Sequence, residues 1–297
     1  MGVDHSDDFD VPSSSDHGAS GDGPSGDGGP DGRVQVEARD RFEYYGSLRT
    51  AVSWEAAAER FRGEWVSHEA RWPAEARKQA DRSGDPEGSW RGDSGRFLDS
   101  AANADVEERC DRIAEAERNV VTPAMREIEA CDPERRLVGF EHRLKGLERI
   151  KDKVAADIEE KGRTPVEALS MVKDVIRYTF VYSGDNYTKG VWGDIARLEE
   201  RGFEQVERRN TWTGDYYRGL NSRWRDPGTR QLFEVQFHTV TSFEAKQLTH
   251  CAYERARNPS TDRSELRELR RIQKSACQQV PVPSGAEDIS DYSLEGR

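Results

Sequence analysis

Leu232-Phe233-Glu234-Val235-Gln236-Phe237-His238-Thr239 alternates apolar and polar residues along its length. Successive side chains of a strand point to opposite sides. Read as a strand, the stretch sends Phe233, Val235 and Phe237 to one face, where they would anchor a buried sheet. Glu234, Gln236 and His238 fall on the other. That polar row admits two readings: the solvated face of an amphipathic edge strand, or acid, amide and imidazole aimed into a site. The choice turns on whether other polar groups are placed to meet it.

Gly219 to Arg225 reads as a neighbouring strand, joined to the first by Asp226-Pro-Gly-Thr229, a strong hairpin signal. Val175 to Ser183 is the clearest strand of all, with Ile176, Tyr178, Phe180 and Tyr182 alternating with Arg177, Thr179 and Val181. Phe203 to Arg208 is a fourth. Arg135 to Lys145 is a fifth, with Glu141, Arg143 and Lys145 on one side and Val138, Phe140 and Leu144 on the other. Helical spacing runs from Tyr44 to Trp72, where Trp54, Ala57 or Ala58, Phe61 and Trp65 form a stripe expected to pack on the downstream domain or a second subunit. Further helices are expected over Asp105–Ala130 with Pro123 as an interruption, Leu147–Lys161 closed by Gly162, and a short turn from Thr164-Pro165. Others follow over Tyr187–Arg201, Ser242–Arg257 with Ser242 as N-cap, and Glu265–Gln279.

Strands and helices in this order predict an α+β domain over residues 105–280, built on a mixed five-stranded sheet flanked by helices. Residues 41–104 read as a helical arm and a linker, with 82–95 as loop. Residues 281–297 read as an irregular tail. The first 33 residues hold eight aspartates against one arginine and, apart from Phe9, no aromatic. Such a stretch cannot bury enough apolar surface to offset the entropy of ordering it, so residues 1–40 read as a disordered acidic tail.

That tail carries more than half of the net charge of −12, so the rest is only mildly acidic. Bulk charge therefore gives no support to duplex DNA as a partner. No apolar run approaches the roughly 20 residues that span a bilayer, and no secretory signal opens the chain. The expected location is the cytoplasm, with export by a specialised machine left open. Cys110, Cys131, Cys251 and Cys277 are scattered without a C-x-x-C pair, which suits reduced structural thiols rather than a metal cage.

Four groups of residues could meet the polar row. Arg143 and Lys145 pair a planar fork with a point charge, a combination suited to polyphosphate oxygens or, equally, to a solvated face. Asp174 and Arg177 form either a structural ion pair or a magnesium ligand beside a phosphate ligand, with Glu234 as the second carboxylate. Tyr216, Tyr217 and Arg218, next to Gly219 and after the loop of Trp212, offer either a stacking platform for a base or aromatics capping the core. On the helix after the opening strand, Ala245, Leu248, Ala252 and Ala256 make a core stripe, while Phe243, Lys246, His250, Tyr253 and Arg257 make an adjacent one that a solvated face does not fully explain.

Taken in order, Arg143-x-Lys145, Asp174-x-x-Arg177, Tyr217-Arg-Gly-Leu-Asn221, Glu234-Val-Gln236-Phe-His-Thr239 and His250-x-x-Tyr253 resemble the synthetase domain of the RelA/SpoT family. That family reads R-x-K, a D…R strand, G-Y-x-S-L-H, E-I/V-Q-I/V-R-T and H-x-x-Y-K. The match spans residues 135–258 and looks most like a divergent branch of nucleotide pyrophosphokinases and toxin-like domains. The resemblance implies a nucleotidyltransferase-like synthetase fold and transfer of the β,γ-pyrophosphate of ATP to a nucleotide 3′-hydroxyl, with Mg²⁺. By position, Arg143, Lys145 and Arg177 would hold ATP, and Asp174 and Glu234 would bind the metal. Glu234 would also help deprotonate the acceptor, Tyr217 would stack on its base, and Gln236 and His250 would order the site. Asn221, His238, Lys246 and Tyr253 complete the expected nucleotide-binding set.

The chain departs from the family pattern in the Asp174-to-Arg177 spacing and at Tyr216, Asn221 and His238. The last three surround the acceptor, so guanine nucleotides, adenine nucleotides and the tRNA 3′ end all stay open. No hydrolase half is recognisable upstream. A homo-oligomer and an antitoxin or immunity partner are the further partners that the resemblance suggests.

Overall fold

All six residues of Arg177–Tyr182 are buried, as happens in a strand whose sheet is covered on both faces. The computed structural model describes residues 52–73, 82–258 and 260–294. The stretch 1–40 expected to be a disordered tail lies outside the described residues, as do residues 41–51 of the arm. The described residues divide into a sheet unit, within Glu69–Gly214, Arg218–Thr239 and Val282–Arg297, and a helical unit, within the residues up to His68, Asp215–Tyr217 and Val240–Pro281.

In chain order the elements begin with α1 (Val52–Arg71), β1 (Trp90–Arg91), β2 (Phe97–Leu98) and α2 (Ser100–Ala116). After a π-helical segment at Glu117–Val121 come α3 (Thr122–Ala130), β3 (Arg135–Val138), α4 (Leu147–Lys161), α5 (Pro165–Ser170), β4 (Arg177–Tyr182) and α6 (Tyr187–Glu200). The chain continues with β5 (Glu204–Asn210), β6 (Leu220–Arg225), β7 (Leu232–Thr239), α7 (Val240–Ala256), α8 (Arg263–Gln278) and β8 (Tyr292–Ser293). No helix among the described residues is long and apolar enough to cross a membrane.

The main sheet has the order β3-β4-β7-β6-β5-β8. β4 and β7 run parallel; the other neighbours are antiparallel. This is the mixed α+β architecture that the sequence predicts. The stretch 232–239 lies inside the sheet, not at its edge. Phe180, Phe237 and Leu220 stand in register across β4, β7 and β6, and the Phe180 and Phe237 rings stack with centroids 6.3 Å apart. Each fully buried side chain of this kind contributes about 1.5–3 kcal/mol. The β6–β7 hairpin closes where expected, and the Asp226 carboxylate accepts from the Thr229 amide at 2.8 Å and its hydroxyl at 2.5 Å.

Elsewhere the structure corrects the sequence reading. Residues 82–95 are not a plain loop, because β1 and β2 pair as a ribbon. Trp90 joins Leu98, Val106, Ile150, Val154 and Val175 in a core, and its indole donates to Glu148 at 2.8 Å. The expected strand Arg135–Lys145 stops at Val138. Gly139 takes the left-handed conformation (φ 58°), a 3₁₀ turn follows over Phe140–His142, and pairing resumes only at a Leu144–Ile176 bridge. The helix expected from Asp105 begins at Ser100, where the Asp99 side chain caps the Ala102 amide at 2.8 Å. Pro123 sits in the first turn of α3, immediately after the π-helical segment. α7 starts at Val240 directly after β7, so Ser242 lies inside the first turn instead of capping it.

In the helical unit, α1 buries Trp54, Ala57, Ala58 and Phe61. The Trp54 indole donates to Glu244 at 2.7 Å, and Trp65 packs against Ala252, Leu269 and Ile272. The tryptophan stripe thus meets α7 and α8 of its own chain.

The tail after Pro281 supplies a sixth strand, where an irregular segment was expected: Arg208 pairs with Tyr292. Asn210 Nδ2 donates to the carbonyls of Ala286 and Ile289, each at 2.8 Å, and Ala286 and Ile289 are buried. A two-residue strand has no period to read. Ile289→Ala is expected to lower the unfolding free energy by about 2–5 kcal/mol in a urea titration, whereas a loosely attached tail would change it by less than about 0.5 kcal/mol.

Candidate active site

The parallel register of β4 and β7 sets Arg177 opposite Glu234. Arg177 Nε donates to Glu234 Oε2 at 2.5 Å, and its Nη2 donates to Asp174 Oδ2 at 2.7 Å. One guanidinium therefore links the two carboxylates singled out in the sequence. Asp174, Arg177 and Glu234 are 8%, 8% and 2% exposed, so the cluster lies largely out of water. Lys145 Nζ reaches Asp174 Oδ2 at 2.5 Å, and Lys153 Nζ on α4 reaches Oδ1 at 3.4 Å. The Leu144–Ile176 bridge positions the first lysine: the Lys145 amide donates to the Val175 carbonyl at 2.9 Å, and the Arg177 amide donates to the Arg143 carbonyl at 2.8 Å.

Charge explains the protonation states. Burial works against ionisation of Asp174, but Arg177, Lys145 and Lys153 outweigh it and hold its carboxyl well below the usual range. Burial pulls Lys145 down from the ordinary amine value; Asp174 opposes that, while Arg177 and Arg149 add to it. Three cations face two carboxylates, an excess of positive charge suited to an anionic ligand.

Gln236, next along the β7 polar row, bonds on both sides. Gln236 Nε2 donates to Glu234 Oε1 at 3.1 Å, and the Thr179 hydroxyl donates to Gln236 Oε1 at 3.4 Å. Asn221 stands in register with Gln236 and is buried. Arg223 stands in register with Glu234 on one side and Glu207 on the other, and it pairs with Glu207. Arginine and glutamate thus alternate across β4, β7, β6 and β5. His238 is fully buried and explains Gly219, because a Cβ there would meet the imidazole at 2.8 Å. Trp212 belongs to the core: it is fully buried and donates to the Tyr187 hydroxyl at 2.8 Å.

Arg143, expected on a strand face with Lys145, is carried by the turn after Gly139. Its Nε donates to Glu117 Oε1 at 2.7 Å, and its guanidinium lies 4.4 Å from the centroid of Phe140. Tyr217, Lys246, His250 and Tyr253 belong to the helical unit. There Lys246 and His250 are buried, Lys246 Nζ lies 5.6 Å from the Phe243 centroid, and His250 Nε2 lies 3.5 Å from Glu254. Tyr253 accepts from Arg257 at 3.1 Å.

The sequence reading missed Lys153, Arg223 and Glu117. The four-residue spacing of Lys145, Arg149 and Lys153 could have signalled the first. The other two depend on register and tertiary approach and left no local mark.

Magnesium takes one or two carboxylates together with substrate oxygens and water. Asp174 and Glu234 are a donor set of that kind. Each of their oxygens already has a cationic or amide partner, so a metal would replace at least one of these contacts. No group of three or more His, Cys, Asp or Glu side chains suited to a metal exists among the described residues.

Comparison with protein-family models finds no match, and comparison with curated proteins finds none. Among solved structures, the chain is similar to small alarmone synthetase 2 from Bacillus subtilis, with 16% identity and a TM-score of 0.41 over 58% of this chain and 92% of that one. It is also similar to small alarmone synthetase 1 from Bacillus subtilis bound to its product pppGpp, with 16% identity and a TM-score of 0.43 over 62% and 95%. A GTP pyrophosphokinase family protein from Streptococcus pneumoniae matches with 16% identity and a TM-score of 0.36 over 56% and 83%.

Asp174→Asn tests the charge balance of the cluster. At neutral pH it removes the carboxylate that Lys145, Lys153 and Arg177 share, and a loss of about 3–5 kcal/mol is expected. The folded-state pKa of Asp174 lies below its unfolded value near 4. Its stabilisation is therefore fully present above about pH 4 and lost as pH falls through the folded value. Thermal melts from about pH 7 to about pH 2 should show the gap between wild type and variant closing in acid; a gap independent of pH would contradict this account.

Proposed function

We propose that the chain is an ATP-dependent nucleotide pyrophosphokinase, which transfers the β,γ-pyrophosphate of ATP to the 3′-hydroxyl of a nucleotide and releases AMP. The observation that carries this reading is Arg177 held between Asp174 and Glu234, with Lys145 and Lys153 on the same aspartate. Phosphoryl-type transfer asks for positioning and charge neutralisation more than for covalent chemistry. The cluster of cations and carboxylates gathered around Arg177 would supply both.

In this reading Arg143, Lys145, Lys153 and Arg177 bind the donor phosphates. Asp174 and Glu234 hold Mg²⁺, which supplies further positive charge to the polyphosphate. The acceptor 3′-oxygen bonds to the β-phosphorus, and the bond from that phosphorus to the α,β-bridging oxygen breaks. AMP leaves with that oxygen. Glu234 orients the attacking hydroxyl and takes up its proton. Gln236, bonded to Glu234 Oε1, holds that carboxylate in one orientation. The roles of Tyr217, Asn221, His238, Lys246, His250 and Tyr253 rest on the sequence resemblance alone.

Incubation with labelled ATP, Mg²⁺ and a panel of guanine nucleotides, adenine nucleotides and tRNA tests the reading and chooses the acceptor. AMP should appear in step with one pyrophosphorylated product, and Glu234→Gln should lower turnover by about 100-fold or more. ATP binding without turnover on any acceptor would instead mark a nucleotide-sensing module. Growth arrest on expression, abolished by the same substitution, would favour a toxin with an antitoxin or immunity partner.

A further inference from the structure

Glu117 is 1% exposed and opens the π-helical segment Glu117–Val121 between α2 and α3. Wide turns of this kind inside helices are frequent at functional sites. Here the wide turn delivers a carboxylate into the interior. Its Oε1 accepts from Arg143 Nε at 2.7 Å and from the Tyr178 hydroxyl at 2.7 Å, and it also accepts from the Thr122 hydroxyl. Burial opposes its charge, yet these donors outweigh the cost and keep its pKa below the ordinary value.

The consequence falls on Arg143. One edge of its guanidinium is held by Glu117 through Nε, and Nη1 donates to the Phe140 carbonyl at 3.2 Å. The Phe140 ring, 4.4 Å from that guanidinium, carries Arg126 at 3.9 Å. Arg143 Nη2 has no protein partner among the described residues, and the side chain is 27% exposed. A long flexible arginine is thereby reduced to one orientation with one donor edge left over. The carbonyl of the same residue accepts the Arg177 amide at 2.8 Å.

We propose that Glu117 is a positioning residue that presents the outer edge of Arg143 to the polyphosphate of the donor nucleotide. The inference rests on the reading of Arg143 as a phosphate ligand given above. A preoriented fork loses less entropy on binding phosphate than a mobile one. The energy of the buried pair is thus put toward ligand binding as well as stability. Neutralising Glu117 frees Arg143 to rotate and leaves two hydroxyl donors on a weaker acceptor.

The test is calorimetric titration of the full chain with Mg²⁺ and α,β-methylene-ATP, which binds without turnover, alongside steady-state kinetics and thermal melts. Glu117→Gln should weaken analogue binding by about tenfold, the range for a hydrogen bond to a charged group. It should raise the KM for ATP while kcat stays within about twofold. Arg143→Ala should weaken binding at least as much, and the double variant should bind no worse than Arg143→Ala alone, because Glu117 acts through Arg143. A merely structural role for Glu117 predicts losses that add, or an unchanged affinity with a lowered melting temperature; either result overturns the proposal. Should Glu117→Gln fail to fold, Glu117→Asp keeps the charge, shortens the reach and carries the same comparison. If the wild-type chain binds no analogue, the donor-site reading itself fails, an outcome distinct from equal binding by wild type and Glu117→Gln.

Discussion

Arg177 is a cation placed where water cannot solvate it, and the sheet is arranged so that it need not be. Its two anionic partners come from different places: Asp174 from the turn just ahead of its own strand, Glu234 from the parallel neighbour. An antiparallel or shifted pairing of β4 and β7 would separate Glu234 from Arg177, and a one-residue slip would turn the entire polar row into the apolar core. The hydrophobic register of Phe180 on Phe237 and the ionic register of Arg177 on Glu234 are thus one constraint seen from two faces. Removing one partner of such a buried pair typically costs about 3–5 kcal/mol. Fold stability and site geometry therefore cannot be separated at these positions.

The cluster is compensated without being neutral. Lys145 and Lys153 share Asp174 with Arg177, while Arg143 is matched by its own carboxylate, Glu117. A chain with net charge −12 so keeps a locally positive site on an acidic molecule. The acidity sits mainly in the first 33 residues, and composition therefore says little about what the sheet binds. Local pairing says more.

How much of this was legible follows from how far each feature depends on distant parts of the chain. The alternation in 232–239, the buried strand 177–182 and the turn 226–229 are encoded within a few residues, and each formed where expected. The association of Asp174, Arg177 and Glu234 was also within reach, because acids and bases on apolar strands need partners. The break after Val138 was not, since one left-handed glycine and a 3₁₀ turn override an otherwise acceptable alternation. The ribbon at Trp90 and the strand at Tyr292 are too short for a period, and their places are set by tertiary anchors: the Trp90 indole on Glu148 and the carbonyls gathered by Asn210. Glu117 was hidden most deeply. On an ideal α-helical count it is one more acid in a charged helix, and only the π turn brings it to Arg143 and Tyr178.

The polar row of 232–239 invited a choice between solvated edge and binding site, and its position between β4 and β6 removes the first. It does not follow that every residue in the row touches a ligand. Gln236 and Thr179 bond along the row, Asn221 flanks it, and His238 fills the space that Gly219 leaves open. These groups form a polar backing to Glu234, with Gln236 bonded directly to it. Glu234 differs from them because it lies between two arginines in register, Arg177 and Arg223. A carboxylate so placed is fixed by the register of three strands. In the proposed transfer it would exchange a guanidinium for a metal ion or a substrate hydroxyl without moving the strand that carries it, as a reaction governed by positioning requires.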